Sequence, residues 1–403
     1  MISVAEAQAK IAQLIIPVGT ETVPLADAGG RVLAETVVAT RAQPPFAASA
    51  MDGYAIQASD LKAGSQLTVT AEIAAGETPN RAVQPGEAIR IFTGAPLPEG
   101  ADTILIQEDA DVVGSSITIR DGFDTANYVR PAGGDFEKGF ELTGPRRLSP
   151  GDVALLAAMN QPSVQVAKQP IVAVLPTGDE LVAPGETPRA DQIVASNNYG
   201  LKAMLEAQGA EVRLLPIAPD RTEVLKDRLA LALDADLIIT LGGASVGDHD
   251  LVREVAGGAG LDLSFYKIAM RPGKPLMAGK LGGALMLGLP GNPVSSLVCG
   301  QIFVLPAIAA MQGLPYQPPA TRTAKLTEPI GSNKKREHYM RSTVRRDGEH
   351  LICTPADRQD SSLLTVLSDA NALMVRQPND EAQPEGAIVT VMPLPGKDGL
   401  FAD

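Results

Sequence analysis

The sequence predicts a multi-domain protein of mixed α/β and β architecture, and three observations carry that expectation. Its 403 residues with 45% hydrophobic content fill several cores at roughly 100–200 residues per domain. Residues 22–165 run as short Val/Ile/Leu/Thr segments cut by Gly and Pro, as in "SQLTVTAEIAAG", "GEAIRIFTGAPLPEG" and "DTILIQEDADVVGSSITIRDG", which is the pattern of β structure. Residues 170–310 instead alternate strand-like and helix-like segments: "PIVAVLPTG", "SNNYGLKAMLEAQG", "EVRLLPIAPD", "TEVLKDRLALAL", "DLIITLGG". That βαβαβ order implies a parallel sheet with helices on its faces and binding loops at the carboxyl ends of its strands.

Taken in order, the chain opens on an amphipathic helix whose apolar stripe is Val4, Ala7, Ile11, Leu14 and Ile15. The β-rich half follows, then the α/β region. Proline-rich "GLPYQPPATRT" reads as a linker, and strand-like runs from about residue 318 to the end form a small β domain. The expected division is therefore 1–167, 168–312 and 318–403.

A net charge of −13 argues against nucleic-acid or anionic-membrane affinity, because both need a broad basic surface. Any anion must be captured by a local cluster. The two cysteines, Cys299 and Cys353, form neither a disulfide framework nor a thiolate zinc site. The N-terminus lacks a basic start and a small-residue cleavage site, and the reading finds no run of about 18 apolar residues. The expectation is a soluble, cytoplasmic protein.

"LGGASVGDHDL" (241–251) begins like a phosphate loop, with Gly242 and Gly247 spaced as in its first half, but Asp248 and His249 stand where Lys and Ser or Thr belong. Its glycines let backbone N–H groups approach a phosphate; a tight strand-to-helix turn capped by Asp248 or Asp250 is the structural alternative. Carboxylates beside phosphate make sense around a divalent cation, since Mg²⁺ prefers oxygen ligands and bridges to substrate phosphates. "YKIAMRPGKPLMAG" sets Lys267, Arg271 and Lys274 around a Pro-Gly turn, either an oxyanion cluster or an exposed basic loop. "LGLPGNPVSSLVCG" offers Asn292 as N-cap and Pro293 at the first helical position, with N–H groups beside Ser295, either an anion seat or a capped core helix. Asp179 and Glu180 in "PTGDEL" follow the first central strand. Asp220 follows the second, where Glu223 completes a capping-box pattern. In the first half, Asp52 precedes Gly53 at what reads as a hairpin turn, and Arg130 and Asp135 flank a Gly pair.

The order of these motifs resembles the molybdopterin molybdenumtransferase family, known as MoeA in bacteria and as the E domain of gephyrin in animals. "SAMDGYA", "IFTGAPLP", "VRPAGGDF", "PTGDEL", "GGASVGDHD", "RPGKP", "LPGNPVSS" and "HYMRS" span nearly the whole chain. The resemblance implies an elongated first half in two parts, a central molybdopterin-binding α/β domain and a C-terminal β-barrel-like domain. It implies an enzyme that inserts molybdate into adenylylated molybdopterin and releases AMP with the help of Mg²⁺, acting as a homodimer with clefts between subunits.

Carried over by resemblance, Asp52, Thr93, Asp135, Glu180, Asp220 and Asp250 are catalytic, with Glu180 and Asp250 toward the metal. Arg130, Gly242, Gly243, Ser245, Gly247, Lys267, Pro290, Asn292, Pro293 and Ser295 bind substrate, and Arg271, Lys274, Arg341 and Ser361 bind molybdate. Other cofactor-biosynthesis proteins are further expected partners. There are three departures from the family pattern: Arg271 for the usual Lys, Ala47-Ala48 for Asp-Asn, and Asp360 for Gly. The rival readings are a molybdopterin adenylyltransferase, against which the extra β domains argue, and a non-catalytic gephyrin-like scaffold, against which the retained acids argue.

Overall fold

A computed structural model describes residues 1–243, 251–397, 399 and 401. Its contacts divide the chain into two units: residues 1–21, 30–34 and 165–403 form one, and 22–29 with 35–164 the other.

The first unit is built around a six-stranded sheet in the order Glu211–Leu214, Ile171–Pro176, Leu237–Leu241, Ala284–Leu289, Met277–Leu281, Asp262–Tyr266. The first four strands pair in parallel and the last two are added by antiparallel pairings, so Met277–Leu281 runs against the expected βαβ core. Alternation along the buried strands sorts side chains to two faces. Val172, Val174, Leu237 and Ile239 meet the helices Asn197–Glu206 and Val4–Leu14, whereas Ala173, Leu175 and Ile238 meet Thr222–Ala230 and Leu251–Gly258. The N-terminal helix is fixed by a capping box between Ser3 and Glu6, and Val4, Ala7 and Ile11 of its predicted stripe are buried.

Pro293–Met311 is helical throughout, with a π turn at Gly300–Val304. Its 19 residues are long and apolar enough to cross a membrane, which the count of apolar runs in the sequence did not register, yet 78% of the tested stretch is buried inside the protein. Val294, Val298, Ile302 and Phe303 belong to the main core, so burial in protein accounts for its apolarity.

In the C-terminal part, Glu337–Asp347, His350–Pro355, Arg322–Leu326, Ile388–Pro393 and Ala372–Arg376 pair in a ring that closes between the first and the last. Closure removes both sheet edges. Leu326, Val344, Cys353, Met374 and Val391 fill it. Met270–Arg271 of the "RPGKP" segment pairs onto Glu337–Asp347 as an added strand, aligning Arg271 with His338.

The second unit contains a six-stranded sheet ordered Thr103–Ile106, Gly53–Ile56, Glu87–Ile91, Gln66–Ile73, Ser116–Ile119, Ala110–Val113, matching the β-rich reading of this half. A core lies on each face, one around Tyr54, Ile56 and Leu105 and the other around Ala55, Ile89 and Ile104. The helix Pro150–Ala158 closes the unit's sequence span with a Ser149/Asp152 capping box. Asp52-Gly53 is not a hairpin turn: Gly53 starts a central strand, and a Cβ there meets the Leu105 carbonyl oxygen at 2.1 Å. Gly53→Ala therefore forces two paired strands apart, and overpacking of this kind costs about 1–3 kcal/mol. Urea unfolding should show that loss with an unchanged m-value; a midpoint equal to wild type would mean the strand spacing is not set by this glycine.

Candidate functional site

Three parallel strands of the first unit end at one level, because Pro176, Leu241 and Leu289 are register partners. The turns beyond them are hydrogen-bonded to each other: the Thr177 N–H donates to the Leu241 carbonyl at 2.9 Å, and the Gly242 N–H to the Leu289 carbonyl at 3.2 Å. Gly242 (φ +91°) lies so close to the neighbouring turn that a Cβ meets the Thr177 oxygen at 2.6 Å. Gly243 (φ +66°) lies against Val252, 2.2 Å from where a Cβ would stand. These glycines are required by left-handed backbone and close packing. Ser245, Gly247 and Asp250 lie outside the described residues, as do Asp248 and His249.

Acids gather at this level. Gly178 leaves the space into which the Glu180 carboxylate folds back; a Cβ there meets Glu180 Oε2 at 2.4 Å. The Asp220 N–H donates to Asp179 Oδ1 at 3.1 Å. Desolvation, then the charges of Asp179 and Glu180, raise the Asp220 carboxyl above its ordinary range. The capping box read at Asp220 and Glu223 does not form, since the helix begins at Thr222 after Arg221 with no side-chain cap, and Glu223 pairs with Lys226. Among the described residues no group of three or more His, Cys, Asp or Glu side chains is placed to hold a metal.

Beyond the Ala284–Leu289 strand, Pro290 is buried and Asn292 precedes the helix with Pro293 at its first position. Asn292 does not cap with its side chain; its Nδ2 donates to Ser361 Oγ at 2.9 Å, and the Val294 N–H donates to the Ser361 carbonyl at 3.1 Å. Part of the expected anion seat is thus occupied by the 358–361 turn. Ser295 is buried within that helix. On its other flank Asn197 Nδ2 donates to the Gly291 carbonyl at 2.6 Å.

The cations assemble at the barrel edge. Arg341 is fully buried; its Nη2 donates to the carbonyls of Arg358 (3.1 Å) and Asp360 (3.0 Å), while Nε and Nη1 have no partner among the described residues. His338 aligns with Arg271 on one side and Arg376 on the other. Its imidazole is pushed down to about 4 by burial and then by Arg271, Arg341, Arg336 and Arg376. Arg271 is exposed and Lys274 partly so, while Gly273 is pressed against Cys299, a Cβ meeting its Sγ at 2.6 Å. Lys267, at φ +70°, places Nζ 4.7 Å from the centre of the Tyr266 ring. Asp360, one of the departures, turns its carboxylate to the N–H (2.8 Å) and Oγ (2.6 Å) of Ser362. Its backbone carbonyl is what meets Arg341.

In the second unit, Asp52 Oδ1 accepts from both the N–H and the Oγ1 of Thr93 at 2.8 Å each. These bonds, with a smaller contribution from Arg90, hold its carboxyl below the usual range. Two residues that the resemblance grouped are therefore one hydrogen-bonded pair. Arg130 aligns with Ala48 in a short two-stranded ladder, and the Asp135 N–H donates to the Gln43 carbonyl at 3.0 Å. Arg90, unremarked in sequence, lies 5.0 Å from the centres of both the Tyr54 and Phe92 rings; its signal is its place three residues before Thr93 on the same segment. His338, Arg336 and Arg376 also went unread, because they are gathered by strand pairing rather than by spacing.

Comparison with known proteins gives the same order of parts. Residues 2–160 match the MoeA N-terminal region (domain I and II), 173–310 the probable molybdopterin binding domain, and 323–394 the MoeA C-terminal region (domain IV). A molybdopterin molybdenumtransferase of Nostoc sp. is 35% identical over 93% of this chain and 89% of its own. That of Haemophilus influenzae is 34% identical over 98% and 99%. A crystal structure of the molybdopterin biosynthesis MoeA protein from Pyrococcus horikoshii, 30% identical, superposes with a TM-score of 0.83 over 98% of this chain and all of the other. With matches to all three regions and relatives above 30% identity over nearly its whole length, the chain belongs to the molybdopterin molybdenumtransferase family, transferases of molybdenum cofactor biosynthesis.

Proposed function

We propose that the protein inserts molybdate into adenylylated molybdopterin and releases AMP, with the oxyanion held at the barrel edge and the phosphates at the strand ends. The observation that carries this reading is the Arg341 guanidinium, buried with Nε and Nη1 unpartnered among the described residues. A buried charged donor without a partner is costly, and a tetrahedral dianion supplies the missing acceptors. The Nη2 bonds to the 358–361 turn make that turn the cover, so access requires it to shift. Ser361, at the end of the cover, then offers its hydroxyl; Lys274 and Arg271 add charge from the exposed side, Arg271 with bidentate geometry.

Glu180, Asp220 and Asp250 are assigned to the chemistry at the phosphates, and Gly242, Gly243, Ser245 and Gly247 to binding them. Carboxylates close enough to act on a neighbour, as Asp179 and Glu180 act with desolvation to raise the Asp220 carboxyl, also attract a hard cation. Glu180 and Asp250 would hold Mg²⁺, which keeps several waters and takes one or two carboxylates besides substrate phosphates. When bound it neutralises phosphate charge and activates water. The residues' own task is to hold the pyrophosphate and the oxyanion beside the dithiolene in one geometry. Lys267, Pro290, Asn292, Pro293 and Ser295 are assigned to binding the pterin substrate. Asp52, Thr93, Arg130 and Asp135 are assigned to the same reaction through a homodimer, Asp52 of one subunit serving its partner's cleft. The enzyme works in the cytoplasm.

Lys274→Ala removes one charge-assisted contact, worth about 1.5–3 kcal/mol. The molybdate concentration for half-maximal AMP release should rise roughly ten- to a hundredfold, with affinity for the adenylylated pterin little changed. An unaltered molybdate dependence would reduce the turn to a solvated loop. For the dimer, Asp52→Ala and Asp250→Ala proteins, each inactive alone, should regain activity after subunit exchange; no recovery despite demonstrated exchange removes the shared cleft.

His338 supplies a pH test of the cation cluster. Its folded-state pKa of about 4 lies below an unfolded value of about 6.5. Between those values the unfolded chain binds the extra proton, so stability is present above about pH 6.5 and is lost as pH falls toward 4. His338→Gln should flatten the stability profile across that window, read by thermal unfolding. Saturating molybdate, by offsetting the guanidinium charges, should raise the folded imidazole toward its ordinary value and so make the wild-type loss smaller, with its onset at about pH 6.5 unmoved and the part due to burial retained. A His338→Gln profile that tracks wild type would place the acid loss elsewhere.

A further inference from the structure

Arg271 stands where the family pattern usually has Lys, and the parallel pairing of Met270–Arg271 onto Glu337–Asp347 sets His338 beside it. Partners on adjacent strands lie about 4.7–4.9 Å apart with side chains on the same face. His338 is only 8% exposed, and its imidazole makes no hydrogen bond among the described residues. A polar side chain so buried ordinarily has a partner.

Four guanidiniums act on that imidazole, those of Arg271, Arg341, Arg336 and Arg376. Three have other uses. Arg376 gives Nε to Asp380, Nη1 to the Gly331 carbonyl at 3.2 Å and Nη2 to the Glu381 carbonyl at 2.7 Å. Arg341 is turned to the carbonyls of Arg358 and Asp360, and Arg336 Nη1 donates to the Met270 carbonyl at 3.4 Å. Arg271 is exposed and forms no hydrogen bond or ion pair among the described residues. It acts on His338 and on Arg341 alike, so its guanidinium is within electrostatic reach of both the imidazole and the proposed oxyanion seat.

Arginine and lysine need different support at such a seat. An ammonium is a point charge that serves an oxyanion from any rotation, whereas a guanidinium presents its donors in one plane and works as a fork only when that plane is held. A neutral imidazole carries one acceptor nitrogen and one N–H. We propose that His338 is a positioning residue for Arg271, its acceptor nitrogen taking one guanidinium N–H and turning the remaining donors to the oxyanion. The inference rests on the functional reading above and adds to it a residue that acts through another. The bond closes with the oxyanion in place, since hydrogen bonds of a site are often loose without ligand and tighten in the complex. Burial and the surrounding guanidiniums push the imidazole down to about 4, which keeps the acceptor free of a proton at neutral pH.

The test is a double-mutant cycle on the full-length protein, with AMP release from adenylylated molybdopterin followed against molybdate concentration. His338→Leu removes the acceptor and should raise the half-saturating molybdate by about tenfold, with the rate at saturation unchanged. His338→Gln, which restores an acceptor, should return it to within about threefold of wild type. In the Arg271→Lys background, His338→Leu should move the half-saturation by less than about twofold, because an ammonium needs no fixed plane. A merely structural histidine would carry its effect into both backgrounds. If thermal melting shows His338→Leu unfolded, His338→Met takes its place in the cycle. The positioning role is overturned, with the enzyme reading intact, if removing the imidazole leaves the molybdate dependence unmoved or if the effect persists in the Arg271→Lys background. Wild-type protein that releases no AMP, or releases it without regard to molybdate, overturns the enzyme reading and the positioning role with it.

Discussion

The parallel pairing that brings Pro176, Leu241 and Leu289 to one level is the constraint on which the strand-end site depends. Three loops leave the sheet from a common plane, so residues more than a hundred positions apart in sequence reach the same space. The strands themselves are held by burial on both faces. Alternate residues of Ile171–Pro176 and Leu237–Leu241 belong to different cores, and a one-residue slip would exchange the two sets. The loops inherit that precision. Gly242 and Gly291 touch where a Cβ on Gly291 would come within 3.3 Å of the Gly242 Cα, leaving neither turn room to drift.

A second tie joins these loops to the barrel. Met270–Arg271 leaves the central region and adds to the Glu337–Asp347 strand, while Ser361 reaches back to Asn292 and to the Val294 N–H. The first contact sets Arg271 beside His338, and the second sets the 358–361 turn over the start of the Pro293–Met311 helix. Ring closure matters for both, because a closed sheet has no frayed edge from which Arg341 or His338 could move away. Acids on one side and guanidiniums on the other are held apart by this framework in an otherwise acidic chain of net charge −13.

What the sequence made legible follows from how local each signal is. The N-terminal helix was readable from its stripe and from Ser3 and Glu6, which act within one turn. The central strands were readable because continuous Val, Ile and Leu runs mean burial on both faces. The pairing of Asp52 with Thr93 was implied only by resemblance, since 41 positions separate them and a strand pairing brings them together. Two local readings failed for the same reason. Asp220 and Glu223 have the spacing of a capping box, but Asp220 is drawn to Asp179 across the strand ends. Asn292 has the place of a cap, but its amide is taken by Ser361 from the barrel. Tertiary partners outbid local ones in both cases. His338 entered only as the first residue of "HYMRS".

The cluster around Arg341 shows why a folded protein retains an arrangement that weakens it. Each buried donor left without an acceptor costs on the order of 1–3 kcal/mol, and Arg341 has two nitrogens with no partner among the described residues. Desolvation and the neighbouring Arg271 both act against the charge, lowering the guanidinium from its ordinary value, with only Asp360 acting the other way. Replacing it by an apolar side chain of similar size would remove that strain. On the proposed reading the cost is a reservoir: an anion that satisfies the idle nitrogens, once the 358–361 cover has shifted to admit it, recovers that cost on binding. Selectivity follows from the same geometry. Arg341 stands on a strand of the closed barrel, so on that reading an anion must present its oxygens where the idle nitrogens point. A surface cluster of equal charge, free to move and screened by solvent, would attract any anion and distinguish none.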